Sequence, residues 1–336
     1  MPTDARTDTT STTGTETADA GQAAPAGGRQ AIDIERCQVC GSERATLQFA
    51  EPPYRVLRCD DCSLVYVTPR WSDETIHEVY GEDYWQSDSP KTKGYADYKS
   101  DAALYLKTFR RRTRLVRRYI PTTARVLDIG CAAGFFLRVM RDGGHDVRGV
   151  EVSTAIGTEA QSHLGTDRVH LGMLHEAVGQ PGFEPGSFDL VTMWDVIEHV
   201  PDPQDLLRQA RAMLRPGGTL ILETQNVDSR FARLLGPRWH HFKHEEHIYH
   251  FNPATVAKVL DQAGFTVERL TSSFGGKYVS FGFIAERAAR LNRIASLALK
   301  PLTVFRNANV YLNFHDEMVV VAHPKPDGAP TTAPGS

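Results

Sequence analysis

The chain has 336 residues, of which 41% are hydrophobic and 24% are charged, and its formal net charge is −3. This length is enough to bury a sizeable core and still leave room for a second, small module. The slightly acidic balance excludes an overall positive field that would draw the chain to nucleic acid or to an anionic membrane, so we expect no nucleic-acid partner.

Both ends of the chain lack the patterns of ordered structure. Residues 1–30 are rich in Thr, Ala, Gly and Asp without hydrophobic periodicity, and residues 324–336 are similar. Such segments bury too little apolar surface to offset the entropy of ordering, so both are predicted to be disordered. The N-terminus has no charged-then-apolar signal pattern, and no apolar run is long enough to cross a membrane, so a cytoplasmic location without a transmembrane segment is expected.

Four of the five cysteines form two Cys-x-x-Cys pairs, Cys37 with Cys40 and Cys59 with Cys62. Each pair places two thiolates on one tight turn, and two such turns complete the tetrahedral sulfur cage of a structural zinc site. Residues 31–70 are therefore predicted to be a zinc-ribbon module with four cysteine ligands. A redox dithiol is the alternative, and it is disfavoured because two pairs are present and no βαβ pattern surrounds them.

Residues 71–120 change from a polar, aromatic stretch to an arginine-rich one, and they are predicted to form a helical linker or lid. Its tyrosines either close over an active site or pack in the core: Tyr80, Tyr84, Tyr95 and Tyr98. Residues 109–118 carry six arginines. Such a run is typical of a solvated helix face, and the alternative is recognition of a diphosphate on a nucleotide-linked substrate.

From residue 121 to residue 323, apolar runs typical of strands alternate with longer amphipathic stretches. Strands are predicted at 125–129, 147–152, 188–193, 219–224, 266–270 and 318–322. This alternation predicts an α/β fold, with a mostly parallel sheet and helices on both faces. A helical insertion is expected at about 275–315. Its basic amphipathic part, residues 287–300, is expected to pack on the core or on the partner of a homodimer; the alternative is contact with a membrane surface.

Residues 126–134 end the first predicted strand and open a helix through a glycine-rich loop that includes Cys131. Gly130 and Gly134 let the backbone approach a ligand where a side chain would collide. The loop lacks the G-x-G-x-x-G spacing of dinucleotide sites, and Asp128 at the strand end would repel a pyrophosphate. That carboxylate instead favours a cationic ligand with an ammonium and a sulfonium group. The electrostatics therefore favour S-adenosylmethionine over NAD.

Side chains at the ends of two further strands support this interpretation. Glu151 follows the loop by about twenty residues, where a carboxylate can accept hydrogen bonds from both ribose hydroxyls. A solvated strand-end acid is the alternative for Glu151. Trp194 and Asp195 end the strand that begins near residue 188, and they face the crevice in which open α/β sheets bind ligands.

Four motifs follow one another over residues 124–225: D-I-G-C-x-x-G, an acidic end of the second strand, F-D-L-V-x-x-x-D-V-I-E-H-V and L-R-P-G-G. In this order and spacing the chain resembles the class I S-adenosylmethionine-dependent methyltransferases, which have a Rossmann-like sheet. The resemblance implies that the glycine loop lines the methionine part of the cofactor, that Glu151 holds the ribose, and that Trp194 and Asp195 lie beside the methyl-donor site. The expected cofactor-binding residues are Asp128, Gly130, Cys131, Gly134, Glu151, Trp194 and, around the adenine, Met173 and Leu174.

The cysteine pairs and residues 243–251 narrow the resemblance to a bacterial subgroup that includes sugar C-methyltransferases and enzymes of glycan or natural-product pathways. In the sugar enzymes a Glu-His pair acts in deprotonation, and Glu246 and His247 match that pair. An imidazole with a pKa of about 6.5 accepts a proton at neutral pH, so His247 is the candidate general base. Glu246 and Asp195 complete the candidate catalytic set.

Five of the thirteen histidines lie between residues 240 and 250, and other roles for them stay open. One alternative is a polar wall that shapes the acceptor pocket. A second is another metal site, because four of them recur every three residues: His241, His244, His247 and His250. His199 is expected to pack or to cap beside the strand that ends at Trp194.

The leading hypothesis is methyl transfer to a small-molecule acceptor, such as a sugar, a glycan precursor or a natural product. Its chemistry is a displacement at the sulfonium methyl, which needs positioning and, for an acceptor that must lose a proton, a base. One alternative is an RNA methyltransferase, which the acidic net charge disfavours. The other is a zinc-ribbon adaptor that binds cofactor without catalysis, which the candidate histidines disfavour.

Overall fold

The computed structural model describes residues 30–73, 75–81, 85, 101–285, 304–305 and 308–326. Some of the predictions therefore fall outside the described residues. These are the predictions for most of the two terminal segments, for Tyr84, Tyr95 and Tyr98, and for the basic stretch 287–300. The insertion predicted to be helical at about 275–315 is helical at residues 281–285, but residues 277–280 and 309–312 are strands that pair with each other.

Short strands near the cysteines form antiparallel sheets. β1 (Ala31–Ile32) pairs with β5 (Arg70–Trp71), and between them lie β2 (Ala45–Glu51), β3 (Tyr54–Cys59) and β4 (Val65–Thr68). The last three form a meander in which β3 is central. Since side chains alternate between the two faces of a strand, the buried Val56, Val65 and Val67 share one face.

The rest of the chain supplies the larger sheet and its helices. The helices are α1 (Ala102–Val116), α2 (Phe135–Asp142), α3 (Thr154–Leu164), α4 (Leu174–Ala177), α5 (Pro203–Met213), α6 (Arg230–Leu235) and α7 (Pro253–Gln262). The strands are β6 (Arg125–Ile129), β7 (Asp146–Glu151), β8 (Val169–Leu171), β9 (Phe188–Trp194), β10 (Leu214–Gln225), β11 (Tyr249–His250), β12 (Phe265–Thr271), β13 (Lys277–Ser280), β14 (Asn309–Leu312) and β15 (Glu317–Pro324).

Seven of these strands form one sheet in the order β12-β15-β10-β9-β6-β7-β8. β6 to β10 pair in parallel, whereas β15 runs antiparallel between β10 and β12. The order reverses between β6 and β9, so the carboxyl ends of these two strands border the crevice in which doubly wound sheets bind ligands. The predicted α/β fold is confirmed.

All six predicted strands are present in this sheet. Five of them are largely buried on both faces, as their apolar sequences require, whereas the edge strand β12 is mostly exposed. The interior of β15 illustrates the burial, since residues 318–322 are all buried. The three-residue strand β8 was not predicted, because so short a segment carries no periodicity. Prolines and caps set the helix starts: Asp202 accepts a hydrogen bond from the N–H of Asp205 at 2.8 Å, and Pro203 begins α5.

The small N-terminal sheet is completed by a strand that is distant in sequence. β11 pairs antiparallel with β4, with Tyr249 opposite Tyr66, which makes a four-stranded sheet in the order β11-β4-β3-β2. Its valine face packs on Trp239, which is 1% exposed. The cysteine-bearing N-terminal segment and the histidine-rich segment therefore contribute strands to one sheet and side chains to one small core.

In the part of the chain that the structure describes, no helix combines the length and the apolar character that crossing a bilayer requires.

Candidate active site

The glycine loop after β6 has a backbone that side chains would disturb. Gly130 and Gly134 have φ angles of +70° and +72°, in the left-handed region that favours glycine. A Cβ atom on Gly130 would lie 2.6 Å from Cγ2 of Val196, and one on Gly134 would lie 2.9 Å from Cδ1 of Leu164. The loop is thus a tight backbone turn at the switch point of the sheet, as the motif predicted.

Asp128 lies buried at the carboxyl end of β6, directly beneath this loop. Its Oδ1 accepts a hydrogen bond of 2.6 Å from the hydroxyl of Thr192 on β9. Burial raises the pKa of Asp128 to about 8, and this outweighs the opposite effect of the Thr192 hydrogen bond. A cation bound nearby would stabilise the ionised carboxylate, which fits the predicted cationic ligand.

Glu151 ends the neighbouring strand β7 with its carboxylate held by backbone donors. Its Oε2 accepts the N–H of Ala132 and its Oε1 accepts the N–H of Ser153, both at 2.8 Å. Burial raises the pKa of Glu151, while these backbone hydrogen bonds lower it. An ionised carboxylate offers about four acceptor positions, so this fixed group retains capacity for two hydroxyl donors of a ribose.

The remaining predicted cofactor residues differ in how they face the site. A Cβ on Gly149 would lie 2.7 Å from Sγ of Cys131, so the Cys131 thiol packs against β7. Cys131 therefore contributes its backbone, rather than its side chain, to the predicted cofactor site. Met173 is 41% exposed, whereas Leu174 is 3% exposed and belongs to the core. Met173 is therefore the accessible member of the pair predicted to flank the adenine.

Trp194 and Asp195 lie at the end of β9, where the backbone changes direction. The Trp194 ring packs against Phe136 and Phe109, with ring centroids 5.2 and 5.7 Å away. Asp195 has a φ of +55°, an unfavourable conformation for a non-glycine residue and one that is common at functional sites. Burial raises the pKa of Asp195 to about 6, and the charge of Glu317 adds to this effect.

Arg112 departs from the predicted solvated face of the arginine run. Its guanidinium is buried and lies 2.6 Å from Oε2 of Glu223 in β10, with Oε2 of Glu317 at 3.9 Å. It also lies over the ring of Trp194, 5.0 Å from the centroid. Arg110, Arg114, Arg117 and Arg118 are exposed, as predicted. Sequence reasoning missed both Arg112 and Glu223, although an acid inside the apolar run of β10 was a signal of a buried pair.

His247 and His199 form the centre of the histidine-rich segment. Nδ1 of His247 lies 2.7 Å from the carbonyl oxygen of His241, and Nδ1 of His199 lies 2.8 Å from that of Glu246. A carbonyl only accepts, so each Nδ1 carries the proton and each Nε2 presents a lone pair. Burial is the main cause that lowers the pKa of both imidazoles, which keeps them neutral at pH 7.

Glu246 contributes to this region through both its side chain and its backbone. Its Oε1 lies 2.7 Å from Nζ of Lys243, and its backbone carbonyl holds His199. The ring of Tyr80 lies edge-on to His199 with centroids 5.8 Å apart, so the segment before α1 borders His199. The backbone carbonyl of Glu246 thus orients the ring of His199.

The regular spacing of four histidines does not produce one cluster. His244 faces Glu51 of β2 at 3.3 Å, and Nδ1 of His250 lies 3.2 Å from the amide of Gln225. His247 joins Glu198 and His199 instead, with ligating atoms within 4.8 Å of one another. The alternative of a metal site formed by these four histidines therefore gains no support from the described residues, because the segment is not a regular helix that would align every third residue.

The cysteine pairs converge as predicted. Sγ of Cys37 lies 3.5 Å from Sγ of Cys62, Sγ of Cys40 lies 3.5 Å from Sγ of Cys59, and all four fall within 4.8 Å. Zinc–sulfur bonds of about 2.3 Å in a tetrahedron place sulfurs roughly 3.8 Å apart, so the four thiols fit a zinc ion. Four sulfur donors leave no open position for a substrate.

The N-terminal sheet forms one wall around the histidine-rich segment. Phe49 of β2 packs edge-on against Phe242 at 4.8 Å. The N–H of Ile248 donates to the carbonyl of Glu198, while its own carbonyl accepts from the N–H of Val67 in β4. Backbone hydrogen bonds therefore connect the cysteine-bearing sheet, through Ile248, to the short 3-10 helix Ile197–His199 that follows β9 and carries Glu198.

A family model described as a methyltransferase domain matches residues 98–270, just over half of the chain. The chain belongs to the methyltransferase-domain family. The expectation of an enzyme of this class is thereby confirmed at the level of the family.

Curated relatives match less than half of the chain. A ubiquinone biosynthesis O-methyltransferase of Xanthomonas euvesicatoria pv. vesicatoria is 34% identical over 157 residues, 43% of this chain and 64% of that protein. One of Thiobacillus denitrificans is 29% identical over 158 residues, 44% of this chain and 66% of that protein. The matched region thus spans somewhat less than two thirds of these relatives.

Solved methyltransferase structures resemble the chain at low identity. A SAM-dependent methyltransferase of Thermotoga maritima has a TM-score of 0.44 at 18% identity, covering 68% of this chain and 95% of that one. A phosphoethanolamine N-methyltransferase of Haemonchus contortus has a TM-score of 0.41 at 21% identity, covering 73% and 60%. Because both TM-scores lie below 0.5, the fold assignment rests on the sheet order of the chain itself.

Proposed function

We propose that this protein transfers the methyl group of S-adenosylmethionine to a small-molecule acceptor. The observation that carries the proposal is the pair of buried carboxylates, Asp128 and Glu151, at the ends of adjacent strands on either side of the glycine loop. Asp128 and the loop would hold the methionine part, Glu151 the ribose, and Met173 the adenine. When bound, S-adenosylmethionine supplies an electrophilic methyl group on a positively charged sulfur.

The geometry around His247 supports its role as general base. Its Nδ1 is anchored on the carbonyl of His241, so the ring is oriented and Nε2 is unprotonated. Such a base takes a proton from an acceptor hydroxyl as the acceptor oxygen attacks the methyl carbon. Three further residues belong to this proposed site. The His199 ring packs against the His247 ring and is itself held by the carbonyl of Glu246. Asp195 contributes its carboxylate at the end of β9.

A hydroxyl-bearing metabolite is the acceptor class that we favour. The relatives with the printed name ubiquinone biosynthesis O-methyltransferase support oxygen as the methylated atom. A sugar, a glycan precursor or a natural product remains the finer proposal within this class. An RNA acceptor gains no support, because Arg112 of the basic run pairs with Glu223 inside the protein.

We further propose that the four cysteines bind a structural zinc ion, on the strength of the sulfur distances. A cytoplasmic location and a homodimer also remain proposals.

The substrate class can be tested with methyl-labelled S-adenosylmethionine and an extract of the host cell. Label in small polar molecules or lipid-linked glycans is the expected result, and it would identify the fraction to purify. Label in RNA or protein would contradict the proposed acceptor class. No transfer, combined with intact cofactor binding by calorimetry, would favour the non-catalytic adaptor.

A further inference from the structure

A second group of metal-ligating side chains lies beside the histidine-rich segment, apart from the residues that the proposed function uses. It combines His240 and His241, which follow the buried Trp239, with Asp316 at the start of β15. Oδ2 of Asp316 lies 3.9 Å from Nε2 of His240 and 3.9 Å from Nε2 of His241. These ligating atoms all fall within 4.8 Å of one another.

Glu317 adds a fourth donor to the same space. Its Oε1 lies 3.4 Å from Nε2 of His241. Metal–nitrogen and metal–oxygen bonds of about 2.0–2.2 Å place neighbouring donors roughly 3 Å apart. The observed separations exceed this by less than about 1 Å, a difference that side-chain rotation can close.

His241 itself points to a ligand. The residue is 8% exposed, and its Nε2 has no hydrogen-bond partner among the described residues. A buried polar nitrogen left without a partner destabilises the folded state. That nitrogen lies near the carboxylates of Asp316 and Glu317, and a cation bound between them would accept its lone pair. The nearest cationic group to Glu317 Oε1 among the described residues is Lys277, whose Nζ lies 3.9 Å away.

The environment of the cluster fits a metal centre in two further respects. Nε1 of Trp239 donates to Oδ2 of Asp316 at 2.8 Å, the kind of outer hydrogen bond that orients a ligating carboxylate. The side chain of His240 is 43% exposed, which gives an ion a route from solvent. Two imidazoles with two carboxylates are a donor set for a divalent transition-metal ion rather than for Mg²⁺ or Ca²⁺.

We propose that His240, His241, Asp316 and Glu317 bind a divalent transition-metal ion at a site separate from the four cysteines. The site is also distinct from the Glu198, His199 and His247 group, which shares none of its donors. Because it stands on donor geometry, it does not depend on the methyl-transfer proposal.

The test is a Co²⁺ titration of the full chain that has first received one equivalent of Zn²⁺. Thiolates bind Zn²⁺ in preference to Co²⁺, so the zinc ion occupies the four cysteines. Visible Co²⁺ absorption without a thiolate charge-transfer band then reports a site with nitrogen and oxygen ligands. The expected result is one further Co²⁺ per chain. Absence of that binding would overturn the proposal.

Two variants locate the ion without disturbing the fold. Asp316→Asn retains an oxygen that can accept from Trp239, and His240→Ala changes an exposed side chain. Each should weaken Co²⁺ binding by at least about 10–100-fold. The matched control His163→Ala, which removes a surface imidazole paired with Glu159, should bind as the parent chain does.

Glu198→Gln distinguishes the two histidine groups. Its amide oxygen can still accept from the hydroxyl of Thr224, so the fold should be retained. Unchanged Co²⁺ binding in this variant is expected. Loss of binding in Glu198→Gln, with normal binding in Asp316→Asn and His240→Ala, would place the ion in the other group and refute the proposal.

Discussion

Asp128 shows how one buried carboxylate can select a cationic ligand. Its side chain is 2% exposed at the end of β6, and the neutral hydroxyl of Thr192 donates a hydrogen bond that offsets part of the cost of burying the carboxylate. In an unliganded site this environment favours the protonated acid, whereas a neighbouring positive charge favours the carboxylate. Ligand binding and deprotonation of Asp128 are therefore linked.

Replacing Asp128 by Asn should weaken S-adenosylmethionine binding by about 10–100-fold, the value of a charge-assisted hydrogen bond. The amide can still accept from Thr192, so the fold should be retained. Calorimetry of the variant checks this, with the exposed-site variant Asp142→Asn as the control. Affinity of the parent chain should also rise with pH up to about 8. Equal affinity in Asp128→Asn would show that the cofactor binds elsewhere.

The raised pKa of Asp128 also predicts how stability depends on pH. An unfolded Asp titrates near ~4 and the folded residue at about 8, so the folded chain holds a proton that the unfolded chain has lost. The contribution of Asp128 to the free energy of unfolding is thus fully present below pH 4 and falls as pH rises to 8. Urea unfolding without ligand should show this decline, and Asp128→Asn should reduce it. An unchanged slope in the variant would contradict the assignment.

Substituting His247 by Ala should lower kcat by about 10²–10⁴-fold with little effect on cofactor affinity, because a general base acts in the transition state. The deficit should shrink at high pH, where an acceptor hydroxyl ionises without help. Steady-state kinetics against pH checks this, with His163→Ala as the control. A rise in KM alone would support the polar-wall alternative instead.

At the scale of elements, α1 and β10 are joined by the buried pair of Arg112 and Glu223. Burial raises the pKa of Glu223, and the positive charge of the Arg112 guanidinium opposes this rise. The helix that carries Arg112 also carries Phe109, which packs on Trp194. The ion pair and this aromatic contact therefore both help to hold α1 over the carboxyl end of β9.

Replacing Arg112 by Met should lower the free energy of unfolding by about 3–5 kcal/mol, since it leaves Glu223 buried without its partner. The double variant Arg112→Met with Glu223→Gln should recover part of this loss. Denaturant unfolding measures both, and Arg110→Met on the exposed side of α1 should change stability by less than about 0.5 kcal/mol. A small effect of Arg112→Met would mean that water reaches the pair.

Removing the zinc ion that we propose at the four cysteines should disturb the acceptor side of the site and spare the cofactor side. The cysteine-bearing sheet pairs with β11 and packs on Phe242 and Trp239, whereas the glycine loop rests on β7 and α3. Hydrogen exchange after mild chelation should show loss of protection in β3, β4 and β11 together, with a lowered kcat and nearly unchanged cofactor affinity. Complete loss of cofactor affinity would show that the zinc module supports the whole domain.

At the scale of the whole molecule, the sheet brings together residues that are far apart in the chain. The order β10-β9-β6-β7 places Glu223, Trp194, Asp128 and Glu151 at one edge of the sheet. That edge is where parallel strands end and where doubly wound folds bind ligands. The segment from 239 to 250 then covers the edge, with the N-terminal sheet behind it.

The sequence by itself determined the features that local patterns encode. Apolar runs of strand length predicted the parallel sheet, because strands covered on both faces must be continuously apolar. The loop glycines were predicted because a positive φ favours glycine. Asp128 and Glu151 were predicted because each is an acid at the carboxyl end of an apolar strand. The two Cys-x-x-Cys pairs were found in the same way, from a spacing that one turn satisfies.

Only the tertiary structure decided the contacts between distant segments. Arg112 meets Glu223 across 111 residues, and nothing in the arginine run singles out the third member as buried. The histidines from 240 to 250 separate into different groups because Asp316, Glu198 and Glu51 approach them from three other parts of the fold. A side chain's partner is set by packing over long separations, which the spacing of residues along one segment does not specify.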